Sequence, residues 1–396
     1  MQSDDCKHRR IRNAIDRSRF LVRAGAAAAS AAAAPCLPLP GRADDYELRE
    51  VVSRPLDLET QIKDFRQYLT PNGAFFTCSH FGAPVNLPSP DAYRLKIEGE
   101  VDKPISLSLR DLRAMPQRKV VAVLQSAGNG RAFFRPRVPG VQWAWGAAGN
   151  ARWTGVSVAD VLSRVGVRPL ATHLGLVPAD RAPVDATPRF NRSIPLAKAL
   201  DPETILAYEM NGEPLPLEHG GPLRLVVPDW VGVHWVKWLV SLTPQVDETH
   251  GYYMDSAYRY PDDLGDPGEP VPDDKTHPIE EVPVTTIITQ PLQGAVVEVD
   301  AQPVQGVAFS GYAPIARVEV SLDGHNWLIA DLDEVRDAHA WRTWRTQLLM
   351  TPGRQRIRAR AFDAAGNSQP AMQQWNPGGY LWNVYHIVEV EVKSTF

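Results

Sequence analysis

Val120-Val121-Ala122-Val123-Leu124-Gln125-Ser126-Ala127-Gly128-Asn129-Gly130-Arg131 is the most informative stretch of this 396-residue chain. Its first part is β-branched and apolar, the pattern of a buried strand. Its second part is a small, glycine-containing turn that ends on an arginine. A strand running into such a turn brings backbone N–H groups and one cation close to whatever binds beyond its end.

Reading outward, a turn at Thr70-Pro71-Asn72-Gly73 precedes an expected aromatic strand at Phe75-Phe76. Residues 93–99 alternate apolar and polar side chains, as a half-buried strand does. Residues 107–112 start a short helix with Ser108 as its cap, and a second helix is expected at about 157–165. A strand at 174–177, with Asp180 just beyond its end, is followed by a short helix at 196–200 and strands at 223–227 and 238–242. Short helices and strands are mixed here without a regular βαβ alternation, so the fold class is α+β. Residues 260–283 hold six prolines among acidic side chains and read as a stiff linker or wrapping loop. Beyond them, residues 296–299, 315–320, 355–360 and 387–392 largely alternate with period two, and turns such as Asp323-Gly324 and Ala365-Gly366-Asn367 separate them. That spacing indicates a β-sandwich of about a hundred residues, immunoglobulin-like in architecture only, since no Cys…Trp…Cys pattern is present.

Hydrophobic residues make up 44% of the chain and charged residues 22%, the balance of a soluble globular protein. The N-terminus differs. Residues 1–43 carry eight basic and three acidic side chains, a net +5, so in a chain of net −4 the remainder carries −9. Phe20-Leu21-Val22 and an alanine-rich run from 24 to 34 follow the basic stretch. A charged region, an apolar region and a small-residue end form the layout of an export signal, with periplasmic localisation as the expectation. Arg17-Ser18-Arg19-Phe20-Leu21 looks like a twin-arginine signal whose second arginine is replaced. The apolar run is too short to span a bilayer, and no later segment is apolar enough to do so. The acidic remainder argues against nucleic acid and suits a basic protein partner. Of Cys6, Cys36 and Cys78, only Cys78 lies beyond the signal.

The opening stretch, at 124–131, resembles the active-site motif L-Q-C-A-G-N-x-R of the sulfite oxidase family of molybdopterin enzymes, which includes bacterial sulfite and sulfane dehydrogenases. Other blocks follow in order. Phe75-Phe76-Thr77-Cys78-Ser79-His80 is similar to F-F-x-R-N-H. Ala151-Arg152-Trp153-Thr154-Gly155 matches A-R-W-x-G. Ala207-Tyr208-Glu209-Met210-Asn211-Gly212-Glu213-Pro214-Leu215-Pro216 and His219-Gly220 match A-Y-x-M-N-G-x-P-L-P and H-G. Gly232-Val233-His234-Trp235-Val236-Lys237-Trp238-Leu239 matches G-x-x-x-V-K-W-L. Trp375-Asn376-Pro377-Gly378-Gly379-Tyr380 through His386 resembles the end of the family's dimerisation domain. The likeness runs over roughly residues 70–395.

Together with the export-signal layout at 1–43 and the Pro-rich linker at 260–284, the resemblance implies a mixed α+β molybdopterin-binding domain at 44–259 and an immunoglobulin-like dimerisation domain at 285–396. It implies a molybdenum-molybdopterin cofactor, oxygen-atom transfer to a small sulfur oxyanion, and a homodimer. No haem module is visible, so the electrons would pass to an external c-type cytochrome. Arg131 falls at the family's sulfite-binding arginine, and a guanidinium suits an oxyanion through forked, charge-assisted hydrogen bonds. Tyr258 falls at its active-site tyrosine. His80 with Ser79, Asp180, His219, Arg224, His234 and Lys237 fall where the family holds the pterin and its phosphate.

Two positions depart from the pattern. Ser126 replaces the cysteine that binds molybdenum, and Cys78 replaces an arginine that faces the substrate pocket. Three readings stay open. Ser126 ligates the metal through oxygen; Cys78 supplies sulfur from the neighbouring wall; or the protein is a cofactor-binding homologue with altered or lost sulfite activity.

Overall fold

The computed structural model describes residues 46–394. The export-signal expectation, with Cys6 and Cys36, lies outside the described residues.

The strand of the opening stretch is Gln117–Gln125, nine residues with the last six buried. It pairs antiparallel with Ala148–Ser157 over its whole length. Ile205–Met210 pairs with the far side of Ala148–Ser157 and carries Glu213–Pro214 and Arg224–Val226. Strand Gln117–Gln125 would be an exposed edge, a liability for any sheet. The edge is covered: the His339 carbonyl accepts the Val123 N–H at 3.0 Å, in a single bridge between Ala122 and His339.

A second sheet runs in the order Ile105–Ser108, Arg94–Ile97, Leu239–Gln245, His173–Pro178, Arg192–Pro195. Its turn into the helix Leu109–Arg113 is set by a capping box in which Ser108 and Asp111 each bond the other's backbone N–H. The core between these sheets is tryptophan-rich, with Trp143, Trp153 and Trp235 each about 1% exposed or less. Strands and short helices mix as α+β requires, and the strands near the site end at a common cavity.

The C-terminal region is a sandwich. One sheet runs Thr285–Gln290, Asp300–Phe309, Arg342–Met350, Asp331–Leu332, and the other Val296–Glu298, His386–Lys393, Gly353–Asp363, Ile315–Ser321, Leu328–Ile329. Ile288, Val304 and Trp344 from the first sheet and Val318, Ile357 and Val390 from the second share one buried cluster. Period-two alternation places these residues on the inner faces.

Two expectations need correction. Phe75-Phe76 is not a strand. Both rings are buried and lie stacked with centroids 5.4 Å apart, which a strand's alternation forbids for neighbours. The Pro-rich segment is not wholly irregular, since Arg259–Pro261 pairs antiparallel with Thr276–Pro278. Among the described residues no helix is long and apolar enough to cross a membrane.

Candidate active site

At Ser126 the strand stops pairing and turns. Ser126 N–H donates to the Ala147 carbonyl at 2.9 Å, and Gly128 N–H reaches the Ser126 hydroxyl at 3.3 Å. Asn129 Oδ1 accepts from Ala147 N–H at 3.0 Å and ties the turn to the next strand. Gly130 has φ +82°, and a Cβ there would lie 2.5 Å from Trp382. Glycine is therefore needed twice over, for the left-handed backbone and for the indole. The chain then places Arg131 inward, 8% exposed.

The last segment of the sandwich closes over this turn. Leu381 N–H donates to the Ala127 carbonyl at 2.9 Å, and Arg131 Nε donates to the Gly378 carbonyl at 3.1 Å. The Arg131 guanidinium lies 5.1 Å from the Tyr380 ring centre. The Tyr380 hydroxyl accepts from Tyr258 N–H at 3.1 Å. Tyr258 has φ +60°, a strained backbone for a bulky residue, and Ile279 N–H on its carbonyl at 3.1 Å helps to hold it there.

Ser126 and Tyr258 line one cavity. Nine of the eleven residues singled out in the sequence line it: Cys78, Ser79, His80, Ser126, Asp180, His219, Arg224, Lys237 and Tyr258. The Tyr258 hydroxyl bonds His80 Nε2 at 2.8 Å. Burial pushes the Tyr258 hydroxyl well above its usual range and lowers His80 to about 3, so both are neutral. His80 stacks on Phe190 with centroids 4.2 Å apart.

Arg224 is 3% exposed and held between Trp153 and Trp235. It donates to the His219 carbonyl at 2.7 Å and the Trp235 carbonyl at 2.9 Å. His219 donates Nε2–H to the Asn72 carbonyl at 3.1 Å. Lys237 Nζ donates to the carbonyls of Cys78 at 2.7 Å and Glu218 at 2.9 Å, and burial brings it down to about 8. The Cys78 thiol is pushed up to about 12, mainly by burial and then by the Asp57 carboxylate that it bonds. It is therefore a protonated thiol in this arrangement.

Arg131 and His234 do not line the cavity. Arg131 lies just behind the wall, and its charge still reaches Cys78 and Tyr258. His234 corrects the sequence expectation, because its ring points into the interior. Its Nε2–H donates to the Ile279 carbonyl at 2.8 Å, and its ring packs on Trp230 at 4.7 Å. Its backbone neighbours Val233 and Trp235 take the wall positions instead. Two residues were missed. Asp57, 1% exposed, accepts Ser79 N–H at 3.0 Å and the Cys78 thiol. Arg192 is 2% exposed beside Tyr258.

Comparison with known proteins places this geometry. The family described as oxidoreductase molybdopterin binding domain matches residues 80–253, and Mo-co oxidoreductase dimerisation domain matches residues 276–393. Mitochondrial sulfite oxidase of Homo sapiens is 39% identical over 342 residues, covering 82% of this chain and 62% of that protein. Sulfite oxidase of Arabidopsis thaliana is 33% identical over 348 residues, covering 81% of this chain and 88% of that protein. The chain belongs to the sulfite oxidase family. A solved structure, that of the sulfane dehydrogenase SoxCD from Paracoccus pantotrophus, superposes with a TM-score of 0.73 at 27% identity, covering 88% of this chain and 91% of that one.

The cavity fits the molybdenum-molybdopterin of sulfite oxidase family members. Arg131, Arg192, Arg224 and Lys237 gather around it, and among the described residues none of them makes an ion pair with a carboxylate. Buried cations whose hydrogen-bond partners are all neutral are costly, so the site suits an anionic group. Asp180 lines the cavity, is raised to about 6 by burial, and has Oδ1 buried without a hydrogen-bond partner. It is an acceptor waiting for an N–H, which a pterin ring offers. Among the described residues no group of three His, Cys, Asp or Glu side chains is placed to hold a metal. Arg224, Lys237, His219 and Asp180 would hold the pterin end, and Ser126 and Cys78, on the same cavity wall, would lie toward the metal end.

Lys237→Met should lower bound cofactor about tenfold to a hundredfold, the loss of one charge-assisted hydrogen bond in a buried site. Molybdenum content by mass spectrometry and pterin fluorescence of the purified protein check it. Native occupancy in the variant would remove Lys237 from the binding set.

Proposed function

We propose that this protein oxidises a small sulfur oxyanion, sulfite or a close relative, and passes the electrons to an external c-type cytochrome. The observation that carries this reading is the set of unpaired cations around one cavity whose wall includes Ser126, Tyr258 and His80. When bound, the cofactor supplies two-electron oxygen-atom-transfer chemistry. The chain's own residues do the rest. Arg131 places a fixed positive charge at the end of the turn and draws the oxyanion. Tyr258 keeps its hydroxyl proton, and neutral His80 bonds that hydroxyl through Nε2, so the pair can hold or pass one proton beside the substrate. The aromatic wall of Phe76, Phe190 and Trp235 limits water.

Ser126 supports a second reading, a cofactor-binding homologue without sulfite turnover. Its hydroxyl already accepts the Gly128 N–H and is a far weaker acid than a thiol. Molybdenum analysis of the native protein, with sulfite-dependent reduction of an external acceptor, separates the two. Metal and turnover together support the oxidase, whereas metal without turnover supports the second reading.

The matched dimerisation domain supports a homodimer. The basic, alanine-rich N-terminal segment supports export to the periplasm, and the −9 balance beyond it suits a basic cytochrome. Turnover with such a cytochrome should fall roughly tenfold as ionic strength rises from about 0.01 to 0.1 M. A rate independent of salt would remove electrostatic docking.

A further inference from the structure

We propose that Arg192 supplies the second positive charge of the oxyanion pocket, replacing from another strand the arginine that Cys78 displaces. The inference rests on the sulfur-oxyanion reading of the cavity and names how this chain holds such a substrate. Cys78 lines the cavity as a neutral side chain where the family resemblance expects a guanidinium. Taken alone, that exchange leaves the pocket one positive charge short.

Arg192 opens the strand Arg192–Pro195 and is 2% exposed. Its guanidinium carbon lies 5.8 Å from the centre of the Tyr258 ring. Nη1 donates to the Tyr253 carbonyl, and Nη2 lies 3.4 Å from His234 Nδ1. Since His234 gives its Nε2 proton to the Ile279 carbonyl, Nδ1 is the acceptor. Nε is buried and has no partner. Its hydrogen-bond partners are therefore neutral, the Glu248 carboxylate acts on it only through its field, and among the described residues no carboxylate forms an ion pair with it. A fixed charge buried beside Tyr258, with no anion in direct contact, is what an oxyanion next to the Tyr258 hydroxyl would complete.

Arg192 does not line the cavity, so it is a positioning residue that acts across Tyr258 and His80. Its field already reaches both of them. This explains the inward turn of His234, whose ring orients Arg192 and leaves the pterin to its neighbours.

The test uses the cofactor-loaded protein with Arg192→Gln and Arg192→Lys, which both keep a donor for the Tyr253 carbonyl and differ in charge. Calorimetry with sulfate as a non-reacting probe reads the pocket without turnover, and steady-state kinetics with sulfite read KM against kcat. Arg192→Gln should weaken sulfate at least tenfold and raise KM by a similar factor with kcat changed less than threefold. Arg192→Lys should stay within threefold of native. Adding Cys78→Arg to Arg192→Gln should return sulfate affinity. Native sulfate affinity in Arg192→Gln, equal losses in both variants, or no sulfate binding by the native protein would each overturn the proposal. A native protein that binds sulfate through Arg192 yet leaves sulfite unoxidised would sink the oxidase reading alone.

Discussion

Ser126→Cys is expected to raise sulfite-dependent turnover about a hundredfold, roughly 2.7 kcal/mol of barrier. Sulfur and oxygen are close in shape, and the only local bond at risk is the 3.3 Å contact from Gly128 N–H. The turn should keep its form, because it is held by Ala147, Asn129 and Leu381 rather than by the serine hydroxyl. What changes is the donor offered to the metal. A thiol ionises far more readily than an aliphatic hydroxyl, and thiolate is the softer, more electron-releasing ligand. The measurement is acceptor reduction per molybdenum for native and variant, with the absorption spectrum of each. Equal rates and unchanged spectra would show that residue 126 gives the metal nothing. The Cys78 thiol bonds the Asp57 carboxylate, and metal retention in Cys78→Ala reads whether that thiol takes over this role.

The second large effect concerns stability and sits at His339. Its Nδ1 lies 2.8 Å from both Asp229 carboxylate oxygens, and its Nε2 lies 2.7 Å from Glu203. Burial alone would depress its pKa, but Asp229 and then Glu203 outweigh it and hold the ring at about 9 against the usual 6.5. A raised pKa in the folded state stabilises fully below about 6.5 and is lost as pH climbs through about 9. Discounted for the partly exposed Glu203, the contribution is about 2–3 kcal/mol. Denaturation midpoints should therefore fall between pH 6.5 and 9.5 in the native protein by about that amount, and His339→Ala should be weaker at pH 6 with a flatter profile. A parallel pH profile in the variant would show that the histidinium does not matter.

Sequence and structure agree where local pattern and global packing coincide. The capping pair Ser108 and Asp111, the strand before Ser126, and the alternating strands of the sandwich were all legible, because each obeys one periodicity. Asp57 was not legible. In Leu56-Asp57-Leu58-Glu59 the usual alternation is inverted: Leu56 is 45% exposed, while Asp57 and Glu59 are 1% and 5%. Glu59 is satisfied by Arg49 and Ala144 N–H, and Asp57 by Ser79 N–H and Cys78, partners that only the fold supplies. Arg192 belongs to no motif and opens a short strand, Arg192-Ser193-Ile194-Pro195, with no distinctive pattern. His234 does lie within a motif, but spacing places a residue near a cavity without saying which way its ring turns.

The closing segment at 376–386 has a consequence for the order of assembly. Gly378 supplies the Arg131 acceptor, Tyr380 braces Tyr258, Leu381 fastens the turn after Ser126, and Trp382 fills the space beside Gly130. These contacts join residues that lie more than a hundred positions apart. A growing chain can form both sheets of the earlier region and still lack a finished pocket. Cofactor loading is then expected to wait for residues 376–386. A protein shortened before residue 376 should be purified empty of molybdenum.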